Sequence, residues 1–148
     1  SKSKAGNPLK KLAQILHDPK LKNKIAEKFP NELSGVRFNP DPTLMRDKEG
    51  YLIKPHPDSP WKMASFLLYF PKNNDNEDMG TIINIKEKKC FSEYDQAKYR
   101  VNSGLIFART SKSYHSVNTL KQKSFDRDLA MLLYREGGRK WRQQTLLK

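Results

Sequence analysis

Residues 56–58 read His-Pro-Asp, inside the apolar, strand-like stretch YLIKPHPDSPWKMASFLLYFP at 51–71. His56 and Asp58 stand two residues apart, and a second histidine of strand character, His115, follows much later. Two imidazoles and one carboxylate on one side of a metal ion leave positions open on its other side. That donor set suits iron(II) with two further ligands on the same ion, which a closed four-ligand zinc site does not allow. His56-Pro57-Asp58 also suits a surface turn beside a sheet. His17, just before Asp18-Pro19, reads instead as a helix-end residue facing the negative end of the helix dipole.

Arg127 opens the segment RDLAMLLYR at 127–135. Strand alternation places it on one face with Leu129, Met131 and Leu133. A guanidinium on an otherwise apolar face needs an anion, because an unpaired buried charge is costly. Asp126 or Asp128 could supply it. So could the carboxylate of a bound ligand, held through two parallel N–H groups.

These side chains need elements to position them. Residues 8–28 show helical spacing, with Pro8 in a first turn and Leu9, Leu12, Ile15 and Leu16 recurring on one face. Asp18-Pro19 interrupts it. Leu21, Ile25 and Phe29 continue on a second short helix, which Pro30 ends. From about residue 35 short apolar runs alternate with Pro, Gly, Asn and Asp, and the spacing predicts eight strands. They are Thr43–Arg46, Tyr51–His56, Lys62–Phe70, Thr81–Ile85, Tyr99–Asn102, Leu105–Arg109, Tyr114–Asn118 and Arg127–Arg135. DKEG at 47–50 and NNDNEDMG at 73–80 read as hairpin connections, and NSG at 102–104 as a tight turn. The expected fold class is mainly β with an α+β character: a jelly roll, or double-stranded β-helix, behind a short N-terminal helical layer. One domain is expected over 1–148, with helical support at about 8–30, the jelly roll at about 35–136 and a basic tail at 137–148.

In that frame the sequence resembles the 2-oxoglutarate- and Fe(II)-dependent dioxygenase superfamily, in its prolyl-hydroxylase-like branch. RDKEGYLIKPHPD resembles the approach to that branch's H-x-D motif. ASFLLYFPKN followed by Gly80-Thr81 resembles its central strand and return, and GLIFARTSKSYHSV the segment bearing the distal histidine. DRDLAMLLYRE resembles the last strand, which starts with the co-substrate arginine. The four segments occur in the family's order across about 42–136. The resemblance implies that His56, Asp58 and His115 ligate iron and that Arg127 binds the distal carboxylate of 2-oxoglutarate. Tyr69 matches a tyrosine that assists there in some members, and also reads as a core aromatic. Many relatives carry Ser or Thr two residues after the arginine, where this chain has Leu129. The chain is also short for the family. The implied reaction consumes dioxygen and 2-oxoglutarate, yields succinate and carbon dioxide, and hydroxylates a C–H bond, with ascorbate as an accessory reductant. Around the motif, Trp61, Lys62, Arg46 and Arg109 are candidate substrate contacts; Trp61 could instead cap the core edge. The substrate expected is a protein side chain such as proline, or a small molecule.

The formal net charge is +13. It gathers at residues 1–28, 109–123 and 135–148, while 29–108 is balanced. Basic patches attract phosphate backbones, and also simply keep a chain soluble. The alternative function is therefore a nucleic-acid-binding jelly roll with an incidental or inactive metal site. A hybrid acting on nucleic acid and a metal-binding fold without oxygenase activity are the other readings. Against nucleic acid, the predicted strands show no surface aromatics interleaved with Lys and Arg. No calcium loop is expected at 73–78, because the position for its bidentate Glu is Lys86. No phosphate loop appears among the seven scattered glycines. The longest apolar run, Met63 to Phe70, is short of a membrane span. SKSKAGNPLKK has no apolar stretch of a secretory signal. With Cys90 as the single cysteine, expected as a surface thiol, no intrachain disulfide forms, and a cytoplasmic setting is expected.

Overall fold

The computed structural model describes residues 7–72, 76–121 and 126–137. The expected acidic stretch at 73–75, part of the basic segment ending at 123, and the basic tail from 138 lie outside the described residues. Three helices lead the chain: α1 (Pro8–Leu16), α2 (Pro19–Lys28) and α3 (Pro30–Leu33). Each starts on a proline, whose fixed φ and missing N–H suit a first turn. Asp18 caps α2 by accepting a hydrogen bond from the Lys20 N–H at 2.8 Å. Pro30 ends α2 as expected and also opens α3. The His17 imidazole meets the Ala13 carbonyl at 2.8 Å, at the end of α1.

Eight strands follow: β1 (Phe38–Asp47), β2 (Ile53–His56), β3 (Lys62–Tyr69), β4 (Ile82–Lys86), β5 (Phe91–Gln96), β6 (Gly104–Ala108), β7 (His115–Val117) and β8 (Arg127–Glu136). They form two four-stranded sheets, β1-β8-β3-β6 and β2-β7-β4-β5. All pairings are antiparallel. Successive strands β1 to β4 alternate between the sheets, which is the winding of a jelly roll. β1 and β2, and likewise β3 and β4, therefore lie in different sheets and form no hairpins, a correction to the local reading.

The sheet β1-β8-β3-β6 is covered on both faces. Leu16, Ile25 and Leu33 from the helices pack with Phe38, Ala64, Ala130, Leu132 and Tyr134. On the other face Leu67, Tyr69 and Leu129 form a second cluster with Tyr99. Two covered faces explain why β3 reads as a continuous apolar run instead of an alternating one. Ile15 departs from the expected helical face and is 51% exposed.

One predicted strand is absent and one was missed. Residues 99–102 form a turn, in which Asn102 takes a left-handed φ of 56°. Tyr99 is buried there because its hydroxyl donates to the Asp128 carbonyl at 3.1 Å and accepts from the Asp128 N–H at 2.7 Å. β5 is a polar edge strand that pairs only with β4, so it carries no apolar alternation.

Tyr134 offers a test of the packing. Its ring stands edge-on to Phe38 at 5.1 Å, and its hydroxyl is fully buried without a hydrogen-bond partner among the described residues. Burial pushes that hydroxyl from an ordinary 10.0 up to about 12. Tyr134→Phe removes an unpaired polar group and is expected to gain about 1 kcal/mol of stability. The unfolded chain ionises this tyrosine near pH 10 and the folded chain resists it to about 12. Stability present below pH 10 is thus lost as pH rises through that window, by about 2–3 kcal/mol from this group. Urea midpoints at pH 9 and pH 11 should fall further in the wild type than in Tyr134→Phe; equal falls would refute the assignment.

Candidate metal centre and adjoining cavity

His56 ends β2 and His115 begins β7, and the two residues are directly opposed in the β2–β7 ladder. Their rings therefore meet across one rung, with centroids 4.5 Å apart. Pro57 turns the chain at the strand end and brings Asp58 back against them. One ligand atom from each of His56, Asp58 and His115 lies within 4.8 Å of the others. His115, remote in sequence from the other two, is thus brought beside them, as the resemblance implied.

Local contacts orient each donor. His56 Nδ1 meets the Lys54 carbonyl at 2.9 Å, and His115 Nδ1 meets the Ser113 carbonyl at 3.1 Å. A carbonyl partner requires a proton on Nδ1, which leaves the Nε2 lone pair of both rings for a metal. Phe107 packs against His115 with ring centroids 4.6 Å apart and planes tilted by 46°. Burial pushes the His115 imidazole below its ordinary value, so it is held neutral, the form a metal needs. Asp58 is 4% exposed. Burial would raise its carboxyl, but hydrogen bonds from Lys62 and Ser65, with the Lys62 charge, outweigh it and hold the group below the ordinary range. Lys62 Nζ lies 2.5 Å from Oδ1 and Ser65 Oγ 2.7 Å from Oδ2. A carboxylate offers about four lone-pair sites, so these two bonds leave room for a metal. The donor set fits a divalent ion with open positions.

Beside the three ligands lies a cavity of about 210 Å³, walled by Leu67, Val117, Leu129 and Met131. Arg127 lines it too. Alternation along β8 thus runs as expected, with Arg127, Leu129 and Met131 turned to one side. Four residues of β3 separate Ser65, which holds Asp58, from Tyr69, whose ring lies under the guanidinium at 5.4 Å. The backbone positions of Ser65 and Tyr69 therefore stand roughly 13 Å apart along the strand.

Arg127 pairs with neither Asp126 nor Asp128. Its Nη1 donates to Asp47 Oδ2 at 2.6 Å, its Nε to the Met79 carbonyl at 2.7 Å and its Nη2 to Thr81 Oγ1 at 3.0 Å. A guanidinium has five N–H donors. Two remain without a partner among the described residues, and these can meet a ligand carboxylate. Asp128 turns to the opposite face and binds Arg46 through two contacts of 2.7 Å.

The other expected contacts divide. Lys62 lines the cavity. Tyr69 does not: it is 1% exposed, donates to Thr81 Oγ1 and accepts from the Thr81 N–H, both at 3.0 Å. Its hydroxyl is engaged by Thr81, and its ring lies against the Arg127 guanidinium. Arg46 is spent on Asp128, away from the cavity. Trp61 packs under the Arg135 guanidinium at 4.4 Å. Arg109 donates to the Asp58 carbonyl at 3.2 Å, bracing the metal loop.

Ser65, Thr81 and Asp47 were not anticipated. A lone serine inside MASFLLYF was the available signal for Ser65. Thr81 places a hydroxyl beside Arg127, at the cavity wall, where Leu129 cannot supply one. A further correction concerns surface aromatics. Phe91 and Tyr94 of β5 are 39% and 71% exposed, and Phe91 meets Tyr114 at 5.0 Å with Lys86 Nζ 5.8 Å above the Tyr114 ring. Cys90 is exposed, as expected, and no described helix is long and apolar enough to cross a membrane.

No protein-family profile and no curated protein sequence matches the chain. Solved structures do match its fold. One is an oxidoreductase of the 2OG-Fe(II) oxygenase family from Burkholderia pseudomallei, at TM-score 0.56 and 14% identity, over 85% of this chain and 57% of that one. Another is a prolyl-4-hydroxylase from Pseudomonas putida, at TM-score 0.57 and 15% identity, over 80% of this chain and 62% of that one. The chain thus has the fold of 2OG-Fe(II) oxygenases and spans about three fifths of these two structures' length.

Proposed function

We propose that the protein is an Fe(II)- and 2-oxoglutarate-dependent oxygenase that hydroxylates a C–H bond. The observation that carries this reading is the cavity itself. Three metal-binding side chains open onto it, and it is also lined by a buried arginine with two unused N–H groups.

The chemistry that bound iron supplies is oxidation of a C–H bond by dioxygen, coupled to conversion of 2-oxoglutarate to succinate and carbon dioxide. The residues do the rest. His56 and His115 present Nε2 because their Nδ1 atoms are tied to carbonyls. Ser65 and Lys62 fix the plane of the Asp58 carboxylate. Arg127 and Thr81 bind the distal carboxylate of the co-substrate, and Tyr69 holds both in place. Leu67, Leu129 and Met131 exclude water, which strengthens each charged contact inside. The C–H bond belongs to a protein side chain or a small molecule; likeness to a prolyl-4-hydroxylase fold supports proline as the first substrate to try.

The test is succinate release. The protein is mixed with Fe(II), 2-oxoglutarate and ascorbate without oxygen, then exposed to air, beside His56→Ala. Slow succinate production that His56→Ala abolishes is the expected result. Absence of both succinate and 2-oxoglutarate binding overturns the reading; tight iron binding alone leaves a metal-binding fold. The second reading, nucleic-acid binding, is favoured by the Phe91, Tyr114 and Lys86 cluster and by the exposed Tyr94 on the same strand as Phe91. Salt-dependent retention on single-stranded DNA, lost in Phe91→Ala, would support it.

A further inference from the structure

The Arg127 guanidinium is already neutralised inside the protein. Asp47 and Arg127 face one another at the last rung of the β1–β8 ladder, 2.6 Å apart, with side chains 4% and 3% exposed. An anion seat that holds its own anion does not present a bare cation.

We propose that Asp47 makes co-substrate binding proton-linked: the distal carboxylate of 2-oxoglutarate seats on Arg127 together with one proton, which Asp47 takes up. This rests on the oxygenase reading above. Its basis is charge count. Two carboxylates on one guanidinium leave a net negative charge in a dry cavity, which is costly. Carboxylates that share a site cannot both stay ionised at ordinary pH.

Among the described residues, no other charge around Asp47 relieves this. On β8, Asp128 adds negative potential, and its own partner Arg46 lies on the opposite face. From the loop after β1, Tyr51 is uncharged, since burial and the Asp47 charge raise its hydroxyl. From the 97–101 segment, Tyr99 is uncharged for a similar reason, burial. Thr81, the Met79 carbonyl and Tyr69 complete the surroundings of Arg127 and carry no charge. Burial already pushes the Asp47 carboxyl up, more than Arg127 pulls it down. The proton comes from solvent to one Asp47 oxygen, and the other oxygen keeps its bond from Nη1.

A control ligand isolates the effect. 2-Oxopentanoate has the same keto-acid end as 2-oxoglutarate and a methyl group in place of the distal carboxylate. It brings no second charge to Arg127. Proton changes at the metal ligands are common to both acids and cancel in the comparison.

The experiment is calorimetric titration of the Fe(II)-loaded full chain, without oxygen, with each acid in two buffers of different ionisation enthalpy. Expected is the uptake of close to one additional proton with 2-oxoglutarate relative to 2-oxopentanoate. The 2-oxoglutarate Kd should weaken roughly tenfold per pH unit relative to the control acid as pH rises through neutrality. Asp47→Asn, which keeps the acceptor and removes the charge, should lose the extra proton and bind 2-oxoglutarate at least about tenfold tighter at pH 8. Equal proton uptake for the two acids overturns the proposal without any variant. So does weaker 2-oxoglutarate binding by a folded Asp47→Asn protein, since Asp47 would then only position Arg127. If neither acid binds the wild type, the oxygenase reading falls and this proposal with it.

Discussion

Arg127→Leu should unfold with about 3–5 kcal/mol less free energy than the wild type. The substitution strands the Asp47 carboxylate in the interior, 4% exposed, without its 2.6 Å partner. It also leaves the Met79 carbonyl without the Nε donor. Urea denaturation measures the loss. The double variant Asp47→Leu/Arg127→Leu should recover most of it, because replacing both members of a buried pair by apolar groups is often close to neutral. A single variant as stable as the wild type, or a double variant no better than the single, would contradict the pairing. The result bears on function as well. Truncation of Arg127 confounds lost co-substrate contact with lost folding, so Asp47→Asn and Thr81→Val are cleaner probes of that end of the cavity.

His115→Ala should lower metal affinity by well over about 100-fold, and Ser65→Ala by only about 10–100-fold. The two differ in what they touch. His115 would offer Nε2 to the ion, whereas Ser65 holds Asp58 Oδ2 at 2.7 Å and would act through it. Competition against a chromophoric chelator measures both affinities. Succinate production should vanish with the histidine and survive, reduced, with the serine substitution. If both variants bind metal as the wild type does, the ion is not held by His56, Asp58 and His115.

The candidate metal residues were legible in part from their types and the two-residue spacing of His56 and Asp58; the full set of three followed from the family resemblance. Their convergence depended on β2 and β7 pairing so that His56 faces His115. Arg127 was legible as a charge in an apolar alternation, but its partner was not. Asp47 stands 80 residues away and is an ordinary strand-end aspartate until β1 is laid beside β8. Alternation could not reveal β5, whose solvent-facing residues carry no pattern. It misassigned 99–102 because Tyr99 is buried through two hydroxyl contacts to the Asp128 backbone and not through a ladder. Lys62 was anticipated near the site as a substrate contact, and its place on Asp58 required the i, i+4 approach from the loop into β3. Tyr69 was ambiguous between core and ligand, and the structure gives it work behind Thr81 and Arg127.

The β1–β8 ladder contains Arg-Asp twice, at 46–47 and at 127–128, running in opposite directions. In the observed alignment Arg46 faces Asp128 on one side of the sheet and Asp47 faces Arg127 on the other. Sliding β8 by one position either way destroys both matches. One slip sets Arg46 against Arg127 and Asp47 against Asp126; the other sets Asp47 against Asp128 and Arg46 against Leu129. Each mismatch would also carry the apolar residues of β8 to the wrong side. The doubled dipeptide thus acts as a key cut for a single alignment, penalising its two nearest misfolded competitors at the strand pair that brings Asp47 to Arg127.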